Sequence, residues 1–214
     1  MSTLTKPPIP DEIVYPESDG KPIADNTEQY KWIVIIKENL DMLLENAFVA
    51  ADLFWYPVQS EPKISQAPDV MVAIGRPKGR RSSYKQWEED NIAPQVVFEI
   101  LSRSNSPIDM FRKEKFYGRY GVQEYYIYDP DEKALVGYLR KEGGLQPIDN
   151  LSGWVSPLLK IRFEQLDGEL EIFLPDGNRF VTFSDLTARA KAAEQRANRL
   201  AEKLRELGID PESI

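Results

Sequence analysis

The spacing of apolar residues predicts two amphipathic helices in the body of the chain. Residues 32–46 read WIVIIKENLDMLLEN, in which apolar side chains recur three and four positions apart. Residues 108–120 show the same periodicity, and Gly121 follows where a helix C-terminal cap belongs. The first helix should bury one stripe, formed by Ile33, Ile36, Leu40, Leu43 and Leu44.

Shorter apolar runs between these helices predict strands. The run QVVFEIL at residues 95–101 is apolar on both faces apart from Glu99, which is typical of a central strand covered by helices. Residues 124–130 and 135–140 should form a hairpin. Further strands are expected at 47–58, at 70–75 and in short pieces up to about residue 180. The pattern indicates an α/β fold with a mixed central sheet flanked by helices.

The last part of the chain has a heptad pattern. Small and apolar residues alternate four and three positions apart and are typical of a coiled-coil seam; they are Leu186, Ala190, Ala193, Ala197, Leu200, Leu204 and Leu207. Gly208 and Pro211 should end this helix. The seam predicts self-association, with a homodimer formed through residues 184–207 or through the core. The alternative is that the helix lies on its own domain.

The 214 residues suit one domain with an appendage. We expect a proline-rich, extended lead-in over residues 1–27, a domain over 28–182 and the C-terminal amphipathic helix over 183–208. The lead-in has no apolar core, and no apolar run is long enough to cross a bilayer. We therefore expect a cytoplasmic protein with no membrane partner.

Composition narrows the chemistry that the chain can perform. The sequence contains no cysteine and no histidine, which excludes thiolate sites and histidine-based triads. Catalysis must then use carboxylates, lysine, tyrosine or a metal that prefers oxygen ligands, such as Mg²⁺ or Mn²⁺. The net charge of −8 argues against a protein that coats DNA, although a local basic surface is compatible with it.

Two carboxylates and one lysine form the candidate constellation. Asp69 opens one apolar strand and Glu99 lies inside another. A lone buried carboxylate costs about 3–5 kcal/mol, so Glu99 needs a cation, a proton or a metal. Lys113 shares the aromatic face of the second helix, whereas Lys115 should point outward. Asp109, one turn before Lys113, is spaced to pair with it.

Two acids and a lysine without histidine favour Mg²⁺-dependent hydrolysis of a phosphodiester. A glycosidase also needs two carboxylates, but it would hold them in an open aromatic cleft rather than on buried strands. The loop between the two acidic strands, RPKGRRSSYK, is basic and could bind a phosphate backbone. Its candidate nucleic-acid-binding residues are Arg76, Lys78, Arg80, Arg81 and Lys85. The acidic WEEDN that follows could instead neutralise this loop.

The segments APDVMVAIG, VVFEILSRSNS and DMFRKEKFYGRYGVQEYYIYDP resemble, in this order, the Uma-two family of restriction-endonuclease-like proteins. That family belongs to the PD-(D/E)XK nuclease superfamily. The resemblance covers residues 32–140 and extends weakly to 180. Its most specific positions are filled by Asp109, Lys113, Tyr117, Gly121, Val122, Glu124 and Tyr125.

The resemblance implies roles for individual residues. Asp69, Glu99 and the carbonyl of Ile100 would bind the metal. Leu101 stands where the superfamily usually has its lysine, and Lys113 on the following helix would take that role. Tyr117 and Asp109 would support these groups, and Glu38 is the candidate for a first-helix glutamate found in many superfamily members.

We therefore expect a Mg²⁺- or Mn²⁺-dependent endonuclease that cleaves DNA. Three alternatives remain open at this point. The fold could serve a catalytically silent module that binds nucleic acid or regulates another protein. The chain could be an interaction protein that acts through its C-terminal helix. It could also hydrolyse another phosphate ester with the same triad.

Overall fold

The computed structural model describes residues 13–18, 20, 22–166, 168–207 and 210–211. Three α-helices and ten strands follow one another in the order α1 (Thr27–Leu43), β1 (Ala47–Ala50), β2 (Trp55–Tyr56), β3 (Val70–Ile74), β4 (Tyr84–Lys85), β5 (Val96–Ile100), α2 (Pro107–Tyr120), β6 (Glu124–Asp129), β7 (Ala134–Lys141), β8 (Gly144–Pro147), β9 (Arg162–Leu166), β10 (Glu169–Phe173) and α3 (Phe183–Glu206). A short 3₁₀ helix, Gln86–Glu88, follows β4.

A mixed six-stranded sheet forms the centre of the molecule, in the order β1-β3-β5-β6-β7-β8. β5 runs parallel to β6 and antiparallel to β3, and every residue of β5 is buried. The connection between the parallel pair contains α2, as a crossover requires. The predicted central strand and the hairpin of β6 with β7 are both confirmed. The strand predicted over 47–58 is divided into β1 and β2, and β2 pairs with β4 instead of joining the main sheet.

α1 covers one face of this sheet. Its cap is Asn26, whose side chain accepts a hydrogen bond from the backbone N–H of Gln29. The helix therefore begins five residues before the predicted start at Trp32. Its buried stripe includes Ile33, Ile36 and Leu40, as predicted, and packs into one core with the β9–β10 hairpin.

α2 covers the opposite face, together with aromatic side chains from β2 and β4. Ser106 caps the start of the helix and Gly121 ends it in a left-handed conformation with φ of 108°. A Cβ at Gly121 would lie 3.1 Å from that of Ala93, so both the space and the backbone angle favour glycine. Arg140 of β7 donates to the carbonyl of Gly118 and fixes the end of the helix to the sheet.

α3 has no buried residue along its 24 residues. Thr182 and Asp185 form a capping box at its start, and Leu200 of the heptad seam is 54% exposed. The structure thus confirms the predicted helix but not the alternative in which its apolar seam lies on the domain. Gly208, one of the two predicted stop residues, lies outside the described residues.

Part of the predicted lead-in contacts the domain. Tyr15 packs edge-on against Tyr56 at 5.2 Å between ring centroids, and its hydroxyl accepts from the backbone N–H of Ser60. Residues 1–12, 19 and 21 of the predicted lead-in lie outside the described part of the chain. Within the part that is described, no helix is both long and apolar enough to span a bilayer.

A buried carboxylate joins the sheet to the segment that precedes β9. Glu124 is fully buried at the start of β6. It accepts hydrogen bonds from the hydroxyls of Tyr126 and Ser156 and from the backbone N–H of Leu158. Three donors satisfy a charge that would otherwise be costly to bury. Glu124, a position of the resemblance motif, therefore has a structural environment on the α1 side of the sheet.

Replacing Glu124 by alanine should destabilise the fold, because it leaves three buried donors without their acceptor. We expect the free energy of unfolding to fall by about 3 kcal/mol, as measured by urea denaturation. Glu142→Ala, at an exposed position, is the control and should leave stability within about 0.5 kcal/mol of the wild type. Equal stability of the two variants would contradict the structural role of Glu124.

Candidate active site

The two candidate carboxylates come together because of the register of β3 and β5. Val70 lies opposite Phe98 in this antiparallel pair, which places Asp69, immediately before β3, beside the end of β5. The Asp69 carboxylate accepts a hydrogen bond of 2.7 Å from the backbone N–H of Ile100. Asp69 and Glu99 are therefore neighbours across two adjacent strands, on the face covered by α2.

Glu99 has the most enclosed carboxylate at this site. The side chain is only 2% exposed, and α2 satisfies both of its oxygens. Lys113 Nζ lies 2.6 Å from Oε2, and the Tyr117 hydroxyl donates to Oε1. Lys113 and Tyr117 are one helical turn apart, so one face of α2 supplies both donors. The cation that burial of Glu99 requires is the lysine on the aromatic face of this helix.

The close charges shift the pKa of each neighbour of Glu99. Burial and the negative charge of Glu99 raise the pKa of Asp69 to about 8, although Lys113 and the Ile100 N–H act in the opposite direction. Burial by itself lowers the pKa of Lys113, but the charges of Glu99 and Asp69 outweigh it and leave that pKa raised. Lysine is therefore charged here, and a further cation beside Asp69 would favour the ionised carboxylate.

A cleft of about 530 Å³ opens above this group. Asp69 and Lys113 line it, whereas Glu99 lies beneath its floor. Residues 22–25, which precede α1, form another wall. Asp25 in this wall accepts hydrogen bonds from the hydroxyls of Ser102 and Ser104, in the turn before α2. Part of the segment predicted as a lead-in thus belongs to the cleft.

The oxygen donors at the site fit a hard divalent cation. Asp69, Glu99 and the Ile100 carbonyl offer two carboxylates and one carbonyl, a donor set suited to Mg²⁺ or Mn²⁺. Gln29 Nε2 donates a hydrogen bond of 2.9 Å to the carbonyl oxygen of Ile100. The second lone pair of that oxygen is left for a metal ion. No group of three or more acidic side chains suited to a metal occurs among the described residues. Such an ion would complete its coordination with water and substrate oxygens, as Mg²⁺ commonly does.

The structure places Gln29, not Glu38, at the site. Glu38 is exposed on α1 and pairs with Lys37 at 3.0 Å, away from the cleft. The expectation for Glu38 is therefore not supported. Gln29 is absent from the predicted site because the predicted helix begins at Trp32, after the turn that carries Gln29. The Asn26 cap followed by a glutamine three residues later is the local signal that could have located this helix start.

Asp109 also differs from its predicted pairing. Its carboxylate accepts from the Ser106 hydroxyl and lies 3.3 Å from Arg112 rather than pairing with Lys113. The hydrogen bond from Ser106 holds the pKa of Asp109 below its ordinary value. Asp109 lines the cleft and stabilises the first turn of α2, so its support of the site acts through that helix.

The basic loop lies at the other end of β3 from the site. The five residues of β3 separate Asp69 from Gly75, which puts them about 20 Å apart at the usual rise per residue. Glu89 lies between Arg76 and Arg81, at 3.0 and 2.6 Å from their guanidinium nitrogens. Lys78 pairs with Asp41 and Lys85 with Glu88. The acids thus neutralise most of this loop, and only Arg80 among its five cations has no ion pair within the described residues. The predicted phosphate-binding role of the loop beside the metal site is not supported.

One buried hydroxyl near the site has no hydrogen-bond partner among the described residues, that of Tyr125. Its ring packs edge-on against Tyr117 at 5.0 Å between centroids. Burial, followed by the charge of Glu99, raises the pKa of Tyr125 far above its ordinary value, so the hydroxyl stays neutral. Tyr125 was one of the motif positions, but the sequence did not indicate where its hydroxyl points.

Comparisons with known proteins identify the family of the chain and one structure to which it is similar. None of the curated proteins matches the sequence. Among solved structures, the chain is similar to one described as the "Crystal structure of a putative nuclease belonging to DUF820" from Anabaena variabilis ATCC 29413. The two sequences are 17% identical, and the match covers 62% of this chain and 73% of the other with a TM-score of 0.46. The model of the Uma2 family, described as "Putative restriction endonuclease", matches residues 8–171, well over half of the chain. The chain therefore belongs to the Uma2 family, and its fold is the restriction-endonuclease-like α/β fold that the sequence predicts.

Proposed function

We propose that this protein is a metal-dependent endonuclease that hydrolyses phosphodiester bonds of DNA. The family indicates a nuclease of the restriction-endonuclease type. The observation that supports the finer statement is that Asp69 and Lys113 line one cleft, with Glu99 buried beneath them and in contact with Lys113. Two oxygen-donor acids beside a charged lysine match the chemistry of phosphodiester hydrolysis, in which negative charge builds up on the phosphate.

Asp69, Glu99 and the Ile100 carbonyl would hold Mg²⁺ or Mn²⁺. When bound, such an ion would supply a lowered pKa for a coordinated water and positive charge near the phosphate. Lys113, which stays charged at neutral pH, would stabilise negative charge on a phosphate oxygen or orient the attacking water. Tyr117 would fix the orientation of Glu99, and Asp109 would hold the first turn of α2. With DNA as substrate, we place the protein in the cytoplasm.

One observation favours a second function, that of a catalytically silent nucleic-acid-binding or regulatory module. Lys113 and Tyr117 already engage both oxygens of Glu99, so the carboxylate is satisfied as an ordinary buried ion pair. A metal ligand at this position would have to share an oxygen with one of these donors. In the silent module, Glu99, Lys113 and Tyr117 would only stabilise the fold.

Nicking of supercoiled plasmid separates the two functions. With Mg²⁺ or Mn²⁺ the wild type should nick the plasmid, and a chelator should stop the reaction. Glu99→Gln keeps the shape of the side chain but removes a charged metal ligand, and Asp69→Asn does the same at the second acid. Each should lower the rate about 100-fold or more, because both ligand and transition-state interactions are lost.

Glu142→Gln, which makes the same chemical change at an exposed position, should cleave at the wild-type rate. Circular dichroism and thermal melts should show that all variants remain folded. DNA binding without cleavage by the wild type in either metal would favour the silent module. Cleavage that survives in folded Glu99→Gln would contradict the assignment of the site.

Tyr117 should act as a positioning residue through Glu99. Tyr117→Phe keeps the buried ring and removes the hydroxyl, so we expect cleavage to fall about 10- to 100-fold. The Mn²⁺ concentration for half-maximal activity should rise as well, which loss of packing alone would not cause. Tyr120→Phe on the same helix is the matched control, since Tyr120 does not contact Glu99. Equal effects of the two substitutions on the Mn²⁺ dependence would argue against this role.

We also propose that α3 joins two copies of the chain as a parallel coiled coil. Six of the seven seam residues are exposed. Each of three basic residues comes immediately before a seam position: Arg189, Arg196 and Lys203. In an antiparallel pair these cations would face one another, whereas in a parallel pair Arg189 faces Glu194 of the partner copy. The charge pattern therefore favours the parallel homodimer.

A charge placed in this seam should separate the copies. We expect the wild type to sediment near twice its chain mass of 24.6 kDa at high concentration. Ala197→Glu would bury a carboxylate in the interface and should give the monomer mass. Ala188→Glu places the same charge on the opposite side of the helix and should stay dimeric. A wild-type monomer at all concentrations would rule out this dimer.

A further inference from the structure

The outer face of α2 carries a line of exposed cations. They recur three and four positions apart and so lie on one side of the helix; they are Arg112, Lys115 and Arg119. From the first to the last, the helix rises about 10 Å. The same length of B-form DNA contains about three nucleotides of one strand. We call this line of cations the α2 stripe.

The α2 stripe differs from the basic loop in how firmly acids hold its cations. In the loop, Arg76 and Arg81 share a single Glu89, and all three side chains are 11–15% exposed. On α2, Arg112 pairs with Asp109 and Lys115 with Glu114 at 3.3 Å each, with the two cations 69% and 63% exposed. Exposed pairs of this kind contribute little stability, so a phosphate can replace their carboxylates at small cost.

The α2 stripe leads directly into the cleft. Arg112 lines the cleft together with Lys113 and Asp69. One helix therefore presents Lys113 to the buried acids on its inner side and the stripe to solvent on its outer side. A nucleic-acid strand bound along the stripe would reach the candidate catalytic group without crossing the acidic surface elsewhere on a chain of net charge −8.

An exposed aromatic ring lies next to the stripe. Phe111 is 56% exposed, and the Lys115 ammonium lies 5.0 Å from the centre of its ring. Proteins that bind single strands commonly use a solvent-exposed aromatic ring beside phosphate-binding cations to stack an unpaired base. A duplex keeps its bases stacked on one another, so the ring would contribute more to binding of single strands.

We propose that the outer face of α2 binds a DNA strand, with the α2 stripe contacting successive phosphates and Phe111 stacking on an unpaired base. This inference rests on the proposed nuclease function, to which it adds the surface that delivers the strand to the cleft. Because Phe111 would stack on an unpaired base, the protein should bind single-stranded or frayed DNA more tightly than an intact duplex.

The test replaces the stripe and a matched set of cations. Arg112→Gln, Lys115→Gln and Arg119→Gln are combined in one variant, and Lys191→Gln, Arg199→Gln and Arg205→Gln, on the outer side of α3, in the control. Both sets remove two arginines and one lysine from an exposed helix face. Binding of a fluorescein-labelled single strand is followed by anisotropy over a range of salt, in chelator and again in Ca²⁺, so that affinity is read apart from cleavage.

The stripe variant should bind at least about tenfold more weakly, and the slope of log affinity against log salt should fall by about 2, since each phosphate contact contributes about 0.7 for single strands. The control should match the wild type in both. Phe111→Ala should weaken single-strand binding about tenfold and duplex binding much less. Ile108→Ala, which shortens a neighbouring exposed side chain, should have no such effect.

A stripe variant that binds like the wild type would overturn the inference, as would a wild type that binds no strand in either condition. Equal losses in the stripe variant and the control would also overturn it, because they would reflect net charge alone. Metal-dependent nicking by the wild type does not depend on these results. Failure of the surface and failure of the nuclease proposal are thus distinguishable.

Discussion

The carboxylate of Glu99 is the group around which the molecule is arranged. It lies in a strand buried on both faces, where an unpaired charge would cost several kcal/mol. The cation and the hydroxyl that satisfy it come from one helix, and that helix must therefore pack over β5 at a fixed rotation. Ser106 and Gly121 fix the ends of α2, and Arg140 holds its last turn to the sheet. The requirement of one buried charge thus determines where the helix, the cleft and the stripe lie.

The buried ion pair of Glu99 is compatible with both proposed functions. The ion pair of Glu99 with Lys113 gives a preorganised site, because the lysine is already charged and already in place. The same pair stabilises the fold whether or not the chain cleaves anything. Retention of the acid and the lysine in a folded protein is therefore weak evidence for activity, and metal-dependent turnover is the property that separates the two proposals.

The sequence predicted the parts of this arrangement that follow from local periodicity. The run of apolar residues on both faces of 95–101 placed Glu99 inside a central strand, and helical spacing placed Lys113 and Tyr117 on the buried face of the next helix. The contacts of Lys113 and Tyr117 with Glu99 follow once this helix packs on the strand. Gln29 could not be predicted in the same way, because its role depends on a helix start set by a single cap residue. For the basic loop, the sequence left two interpretations open, phosphate binding and neutralisation by the acidic segment WEEDN that follows it. Glu89 of that segment binds Arg76 and Arg81 at once, a choice that only the folded chain shows.

The domain begins before α1, although the composition of the preceding segment does not indicate this. Residues 22–25 follow a proline-rich stretch, yet they form a wall of the cleft, and Asp25 receives hydrogen bonds from the turn that opens α2. Gln29 then connects the first turn of α1 to the carbonyl beside Glu99. A shortened chain that began at the first helix would keep the sheet and lose one side of the cleft, and the Ser102 and Ser104 hydroxyls would lose the Asp25 carboxylate as an acceptor. Limited proteolysis in this segment would thus change access to the site while leaving the core folded.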